Sequence, residues 1–280
     1  MGSISIRFYA ELGDFLPVER RGREFEHVCP GRDSVKDVIE GLGVPHTEVD
    51  LVLVNGEPVG FDHHLSEGDR VSVYPVFEAL DISAVKSVRS QPLRVVRFAA
   101  DVHLGRLARY LRLAGFDTLY RNDWDDRELA ETAVREHRII LTRDRGLLMR
   151  SIVTHGYVVR ETLPRAQLVE VLGRFDLWGL LRPFTRCSVC NDCVEPVTKA
   201  EIVSELPART ARYYQEFWRC TGCGRLYWRG PHYRSLMKLF SPDAGPSDFR
   251  RLSDPRLTEL PPGEQRHSDE CEYSHGDDTP

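Results

Sequence analysis

Cys187, Cys190, Cys220 and Cys223 form two Cys-x2-Cys knuckles separated by 29 residues, and no other feature constrains the chain as tightly. A Cys-x2-Cys turn lets two thiolates reach one ion, and two such turns complete a closed tetrahedron with Zn–S near ~2.3 Å. Five of the chain's seven cysteines fall within residues 187–223. An odd number clustered in one place points to metal binding in a reducing compartment and away from a disulfide framework. The pattern predicts a structural zinc ribbon, although four cysteines can also hold an iron–sulphur cluster. Cys193 extends the first knuckle to Cys-x2-Cys-x2-Cys and reads as a spare thiol. Gly222 and Gly224 relieve crowding at the second turn.

The 280-residue chain has the means to fold around such a staple, because 41% of it is hydrophobic. No apolar run approaches the ~20 residues of a membrane helix. The opening MGSISIRFYAEL lacks the basic and apolar regions of a signal peptide. These features predict a cytoplasmic protein with no membrane partner. Charge is segregated. Residues 1–80 carry 7 Lys and Arg against 15 Asp and Glu, residues 81–240 carry 27 against 18, and residues 241–280 carry 4 against 10. A basic middle between acidic ends suits a polyanionic partner for the middle alone, and equally suits an ordinary Arg-rich surface.

Residues 1–80 read as one small α+β domain. ISIRFYA (4–10) alternates like a half-buried strand, and EFEHV (24–28) is a second. Asp33 or Ser34 caps a helix through Val35, Val38, Ile39 and Leu42, which Gly43 ends. LVLVNGEPV (51–59) is a strand with an Asn-Gly turn signal, and DRVSVYPVF (69–77) is a last strand. The order β, β, α, β, β, with VNGEPV and EGDRVSVYP, resembles the ubiquitin-like β-grasp domains of the sulphur-carrier group. Such carriers act through a free C-terminal Gly-Gly. Here the last strand runs into Val76-Phe77-Glu78-Ala79 and a further domain, so the resemblance implies the fold and a protein-interaction or regulatory role.

After a polar connection (79–92), residues 93–183 read as an α/β domain. LRVVRFAAD (93–101) is a strand ending in Asp101. His103 to Ala114 is a helix whose Leu104, Leu107, Ala108 and Leu111 share one face. DTLYR (117–121), a helix opened by Asp125 or Asp126, RIILT (138–142) with Asp144 just beyond, GYVVR (156–160) and a helix over 165–175 follow. Ligands of open parallel sheets bind outside the carboxyl ends of the strands. Asp101 and Asp144 belong there if their strands are parallel neighbours, and Asp126 can approach the same end. Carboxylates gathered without a lysine require a cation. Oxygen ligands select Mg²⁺ or Mn²⁺, which can activate water and steady charge on a scissile phosphate. Arg106, Arg109 and Arg143 lie nearby in sequence for flanking phosphates. The competing reading makes these acids helix caps. His103 reads as an exposed helix-start residue, and Thr142 as an orienting hydroxyl, not a nucleophile.

Residues 184–240 hold the ribbon among interleaved arginines and aromatics, a mixture suited to phosphate contact and base stacking on single-stranded RNA. Trp218 and Tyr227 are expected in the ribbon's small core, with Trp228, His232 and Tyr233 exposed. Residues 241–280, with six prolines and many acids, read as a disordered tail.

The segments ADVHLGRLARYLRLAGFDTLY, DDRELAETAVREHRIILTRDRGLL and RCSVCNDCVEPV…FWRCTGCGRLYWRGPHY resemble the Mut-seven C-terminal RNase domain family over about residues 94–238. That family is regarded as a PIN-like α/β/α nuclease fold fused to a zinc ribbon, and a β-grasp domain in front is an arrangement found in it. The resemblance implies a metal-dependent ribonuclease. Thr142-Arg143-Asp144 is similar to the PIN Thr-x-Asp element, Asp101 to the first-strand Asp, and Asp126 to the acid opening the middle helix. Many PIN proteins place a further acid where this chain has Arg145. The fourth carboxylate is then either missing or supplied by Asp123, Asp125 or Glu161. A non-catalytic RNA-binding protein and a sulphur-transfer accessory protein are the alternative functions.

Overall fold

Apolar residues spaced two apart along strands and three or four apart along helices build the elements. The protein is described here from a computed structural model. The structure describes residues 2–29, 31, 33–75, 96–230, 237 and 240. The expected connection at 79–92, the acidic tail with Cys271 and His275, and His232, Tyr233 and Arg234 lie outside these residues.

Strands β1 (Gly2–Phe8) and β2 (Glu24–Cys29) form an antiparallel pair. In β1 the alternation buries Ile4, Ile6 and Phe8. Helix α1 (Val35–Gly41) starts at a capping box in which Ser34 and Asp37 satisfy each other's backbone N–H groups. The run 51–59, expected as one strand, is a hairpin of β3 (Val49–Val54) and β4 (Glu57–Val59). Asn55 (φ 53°) and Gly56 (φ 89°) both take the left-handed conformation that a two-residue turn of this kind needs. With β5 (Arg70–Pro75) the sheet order is β2-β1-β5-β3-β4, and β1 and β5 are parallel at its centre. This is the β-grasp arrangement, one strand richer than the sequence order suggested. Two short 3-10 turns, Ala10–Phe15 and His46–Glu48, carried no sequence signal.

The second sequence domain contributes β6 (Phe98–Ala100), α2 (Gly105–Leu113), β7 (Thr118–Tyr120), α3 (Asp126–Arg135), β8 (Ile139–Thr142), α4 (Arg145–Leu148), β9 (Gly156–Val158) and α5 (Pro164–Arg174). The sheet order is β7-β6-β8-β9, with β6, β8 and β9 parallel. Every residue of β6, β8 and β9 is buried, the continuous apolar pattern of a parallel sheet. The ribbon follows as β10 (Val194–Val197), α6 (Lys199–Ile202), α7 (Ala208–Tyr213), β11 (Phe217–Cys220) and β12 (Leu226–Trp228), its three strands antiparallel in chain order.

Compactness divides the chain differently from the segments read in its sequence. One unit joins residues 1–104 to 120–160; the other joins 105–119 to the described residues from 161 onward. The first unit therefore contains the β-grasp domain and the strands β6, β8 and β9, and β7 enters it with Tyr120, whose hydroxyl donates to the Val102 carbonyl at 3.1 Å. The second contains α2, α5 and the ribbon, and there α2 buries Leu107, Ala108 and Leu111. Each such leucine contributes about 1.5–3 kcal/mol.

Candidate active site and metal centre

The two knuckles converge. The four Sγ atoms of Cys187, Cys190, Cys220 and Cys223 lie within 4.8 Å of one another. Cys187 and Cys223 are 3.6 Å apart, Cys190 and Cys220 3.3 Å. Three of the four are buried and Cys223 is exposed. The knuckles share a backbone device: the residue after the second cysteine is left-handed in each, Asn191 at φ 75° and Gly224 at φ 71°. Gly222 serves a different purpose, since a Cβ there would collide with the Asp192 carboxylate. The Val189 and Cys223 N–H groups point at the sulphurs of Cys187 and Cys220, both at 3.4 Å.

Thiols this close cannot all ionise unaided. Hydrogen bonds from Cys190 and Cys220 hold Cys187 far below the ordinary thiol range, while their hydrogen bond to Cys187 pushes Cys190 up and Cys220 up to about 12. One anion is thus solvated by its protonated neighbours. A soft-liganded dication would allow all four to ionise, and the donor set and spacing fit a metal such as zinc.

The quartet is stitched to α2 within the second unit. The Arg112 Nε–H donates to the Thr118 carbonyl at 2.8 Å and Nη1–H to the Val189 carbonyl at 2.6 Å. Asn191 accepts from the Thr118 N–H at 3.0 Å and donates to Asp117 at 2.7 Å. The Tyr227 hydroxyl lies 3.1 Å from the Cys187 sulphur and accepts from the Ser188 N–H at the same distance. Arg109 also faces this cluster: burial lowers its pKa, opposed by Tyr227 and Cys187, and its Nε is buried without a hydrogen-bond partner among the described residues. It belongs to the surroundings of the thiols more than to an open phosphate surface, where the sequence had it.

Cys193 is not a spare thiol: it is disulfide-bonded and stands outside the quartet. Trp218 and Tyr227 pack on the quartet, as expected. Trp228 is half-buried against Ile202, Leu206 and Phe217, so it is a core contributor where exposure was expected. Among the described residues of this region the exposed aromatic is Tyr213, 64% accessible, with the Arg212 guanidinium 5.7 Å from its ring centre.

At the acidic edge, β6 and β8 are parallel neighbours with Ala100 beside Leu141, so Asp101 and Thr142 emerge side by side. The Thr142 hydroxyl donates to Asp101 Oδ2 at 2.7 Å and accepts from the Asp144 N–H at 2.9 Å. Asp101 is buried and Asp144 exposed. The Asp144 carboxylate accepts from the Gly146 N–H at 2.8 Å and so caps α4. Asp126 lies 3.6 Å from Arg150. Among the described residues the cysteine quartet is the one group of three or more His, Cys, Asp or Glu side chains placed to share an ion, so the three acids do not assemble into one ligand set in this arrangement. Two of them, Asp101 and Asp144, are joined through Thr142. Of the candidates for a fourth acid, Asp123 is paired with Arg121, both oxygens at 3.0 Å, which lowers its pKa, and Asp125 caps α3. Glu161 is exposed, as are Arg106, Arg143 and His103.

Residues 96–240, just over half of the chain, match the Mut7-C RNAse domain. The chain belongs to that family. Residues 1–81 match Mut7-C ubiquitin, in the order the sequence suggested. Two solved structures of small archaeal modifier protein 1 from Haloferax volcanii are similar to the N-terminal part. One is 19% identical, covers 27% of this chain and 98% of that chain, and has a TM-score of 0.22. The other is 21% identical, covers 28% and 99%, and has a TM-score of 0.23. No curated protein matches the chain. No helix among the described residues is long and apolar enough to cross a membrane.

Proposed function

We propose that this Mut7-C protein is a metal-dependent ribonuclease that cleaves single-stranded RNA at the carboxyl edge of β6 and β8. The observation that carries this reading is the Asp101–Thr142–Asp144 hydrogen-bond chain across two adjacent parallel strand ends. Thr142 commits its proton to Asp101 and its lone pair to the Asp144 N–H. It therefore fixes the Asp101 carboxylate and the Asp144 backbone, and is spent as a nucleophile. Oxygen donors of this kind suit Mg²⁺ or Mn²⁺, which would supply an activated water and a counter-charge for the phosphate. Asp101 and Asp144 are the ligands we assign to it, with Asp126 joining once released from Arg150. Zinc in the quartet would hold the two knuckles together. Arg143 offers charge to the strand at the acidic edge, and within the second unit Arg106 and the Arg212–Tyr213 pair offer charge and a stacking face to RNA. The quartet of reduced thiols suits the cytoplasm; the disulfide at Cys193 does not follow from that compartment.

A cleavage assay on a mixed RNA panel with Mn²⁺ tests the reading. Wild-type protein cleaves and Asp144→Asn does not. One observation favours a second reading, a non-catalytic RNA-binding protein: Asp126 is engaged by Arg150 and Asp144 by α4, so three carboxylates are not gathered. RNA binding by the wild type without cleavage in Mn²⁺ or Mg²⁺ selects that reading.

A further inference from the structure

Arg145 follows Asp144 directly and opens α4. Its surroundings come from the ubiquitin-like domain, which lies in the same compact unit. Its Nη1–H donates to the Phe15 carbonyl at 3.1 Å, and its Cζ lies 4.8 Å from the centre of the Phe15 ring. A Cβ on Gly43, just past α1, would lie 4.0 Å from the same nitrogen. Phe15 itself is buried at the end of the 3-10 turn Ala10–Phe15.

Buried hydrogen bonds hold the ubiquitin-like domain in place there. Glu48 is fully buried and accepts from the Val158 N–H at 2.6 Å, which satisfies a donor on the edge strand β9. His46 sits between Glu40, 2.6 Å from Nδ1, and the Val153 carbonyl, 2.7 Å from Nε2. A second guanidinium, Arg160, lies 5.0 Å from the Phe15 ring, and it faces Glu48 and Asp14, both at 3.7 Å. The two cations therefore differ. Arg160 is matched by carboxylates. Arg145 is exposed, has no carboxylate partner among the described residues, and keeps most of its N–H donors after the bond to Phe15.

We propose that the ubiquitin-like domain completes the RNA site: Phe15 positions Arg145 to grip a phosphate next to the one cut at Asp101 and Asp144. The inference rests on the ribonuclease reading and deepens it. A guanidinium stacked on a ring and tied by one nitrogen has already lost much of its rotamer freedom, so less is lost when it takes a phosphate bidentately. This also explains how a domain with 7 basic and 15 acidic residues can sit at a polyanion site, because what it presents to Arg145 is a ring and a carbonyl. Phe15 is a positioning residue, and Arg145 is the one that touches substrate.

The test uses the full zinc-loaded chain and a single-stranded RNA oligonucleotide, with steady-state cleavage and with binding followed by anisotropy across a salt series. Arg145→Gln raises KM about tenfold and leaves kcat within about twofold, as expected for loss of a charge-assisted bond made equally in both states. It also reduces the slope of log affinity against log salt by about one contact. Arg145→Lys keeps the slope but recovers only part of the affinity. Phe15→Leu, which keeps apolar bulk and loses the ring, raises KM about threefold with the slope unchanged, the signature of a preorganisation effect. Wild-type KM and slope in Arg145→Gln overturn the proposal. So does faster cleavage by Phe15→Leu, which would mean that the domain masks the arginine. Asp144→Asn separates the two claims, since it abolishes cleavage and leaves the salt slope alone. If the wild type binds but does not cleave, the ribonuclease reading fails and the slope still decides Arg145; if it does not bind RNA, both fail.

Discussion

The cysteine quartet and the acidic edge were both inferred from a handful of ligand-type side chains, yet only the quartet is assembled. The four sulphurs lie within 4.8 Å of one another, whereas Asp101, Asp126 and Asp144 do not gather. The difference lies in how each set is brought together. A Cys-x2-Cys turn pairs its ligands by local geometry, and Asn191 and Gly224 close the two turns in the same way. The acids depend on tertiary placement and have other uses for their oxygens. Asp144 caps a helix, and Asp126 faces an arginine. A carboxylate's partners are interchangeable in a way that a clustered thiolate's are not.

The largest expected effect is on the quartet. Cys220→Ser, or a strong chelator, should lower the melting temperature by roughly 10 °C or more, because metal binding to such a site is folding free energy. The loss should include α2, since Arg112 ties it to the first knuckle. Differential scanning fluorimetry, with hydrogen exchange on residues 105–113, measures both. A melt that ignores the chelator would end the claim that the quartet organises its unit.

Next comes the acidic edge. Asp101→Asn and Asp144→Asn should each weaken Mn²⁺ binding, followed by electron paramagnetic resonance, by about tenfold or more, as loss of a charged ligand predicts. Thr142→Val should cost about 1–3 kcal/mol in denaturant unfolding, because it leaves a buried oxygen of Asp101 unsatisfied, and it should slow cleavage as Asp101 loses its orientation. The smallest effect sharpens the contrast most. Arg150→Ala frees Asp126 from a half-exposed pair worth at most about 1 kcal/mol, so Mn²⁺ affinity should rise by roughly two- to fivefold if Asp126 belongs to the site. An unchanged affinity would remove Asp126 from the ligand set.

Legibility followed the same division. The knuckles, the apolar face of α2 and the β6 and β8 strands with their terminal acids could be read directly, because each is a local periodicity or a short motif. The parallel pairing that sets Asp101 beside Thr142 could be stated only as a condition, since strand adjacency is not written in either strand. The Asn55-Gly56 signal was visible, but it divides one expected strand into two. Glu48 and Phe15 left no trace. They sit on 3-10 turns without periodicity, and their partners, Val158, Arg160 and Arg145, are about a hundred residues away or more. Trp228 shows the limit of composition: an aromatic among arginines reads as a stacking face, and only the small cluster of Ile202, Leu206 and Phe217 shows that it is half core.

Single-turnover cleavage of a labelled single-stranded RNA in Mn²⁺, run in parallel on wild type and Asp101→Asn with bound RNA quantified in both, addresses the hydrolytic claim at its root. The account predicts equal binding and a rate in the variant lower by about 10² or more. Equal rates in the two proteins, or binding in both with cleavage in neither, would contradict it.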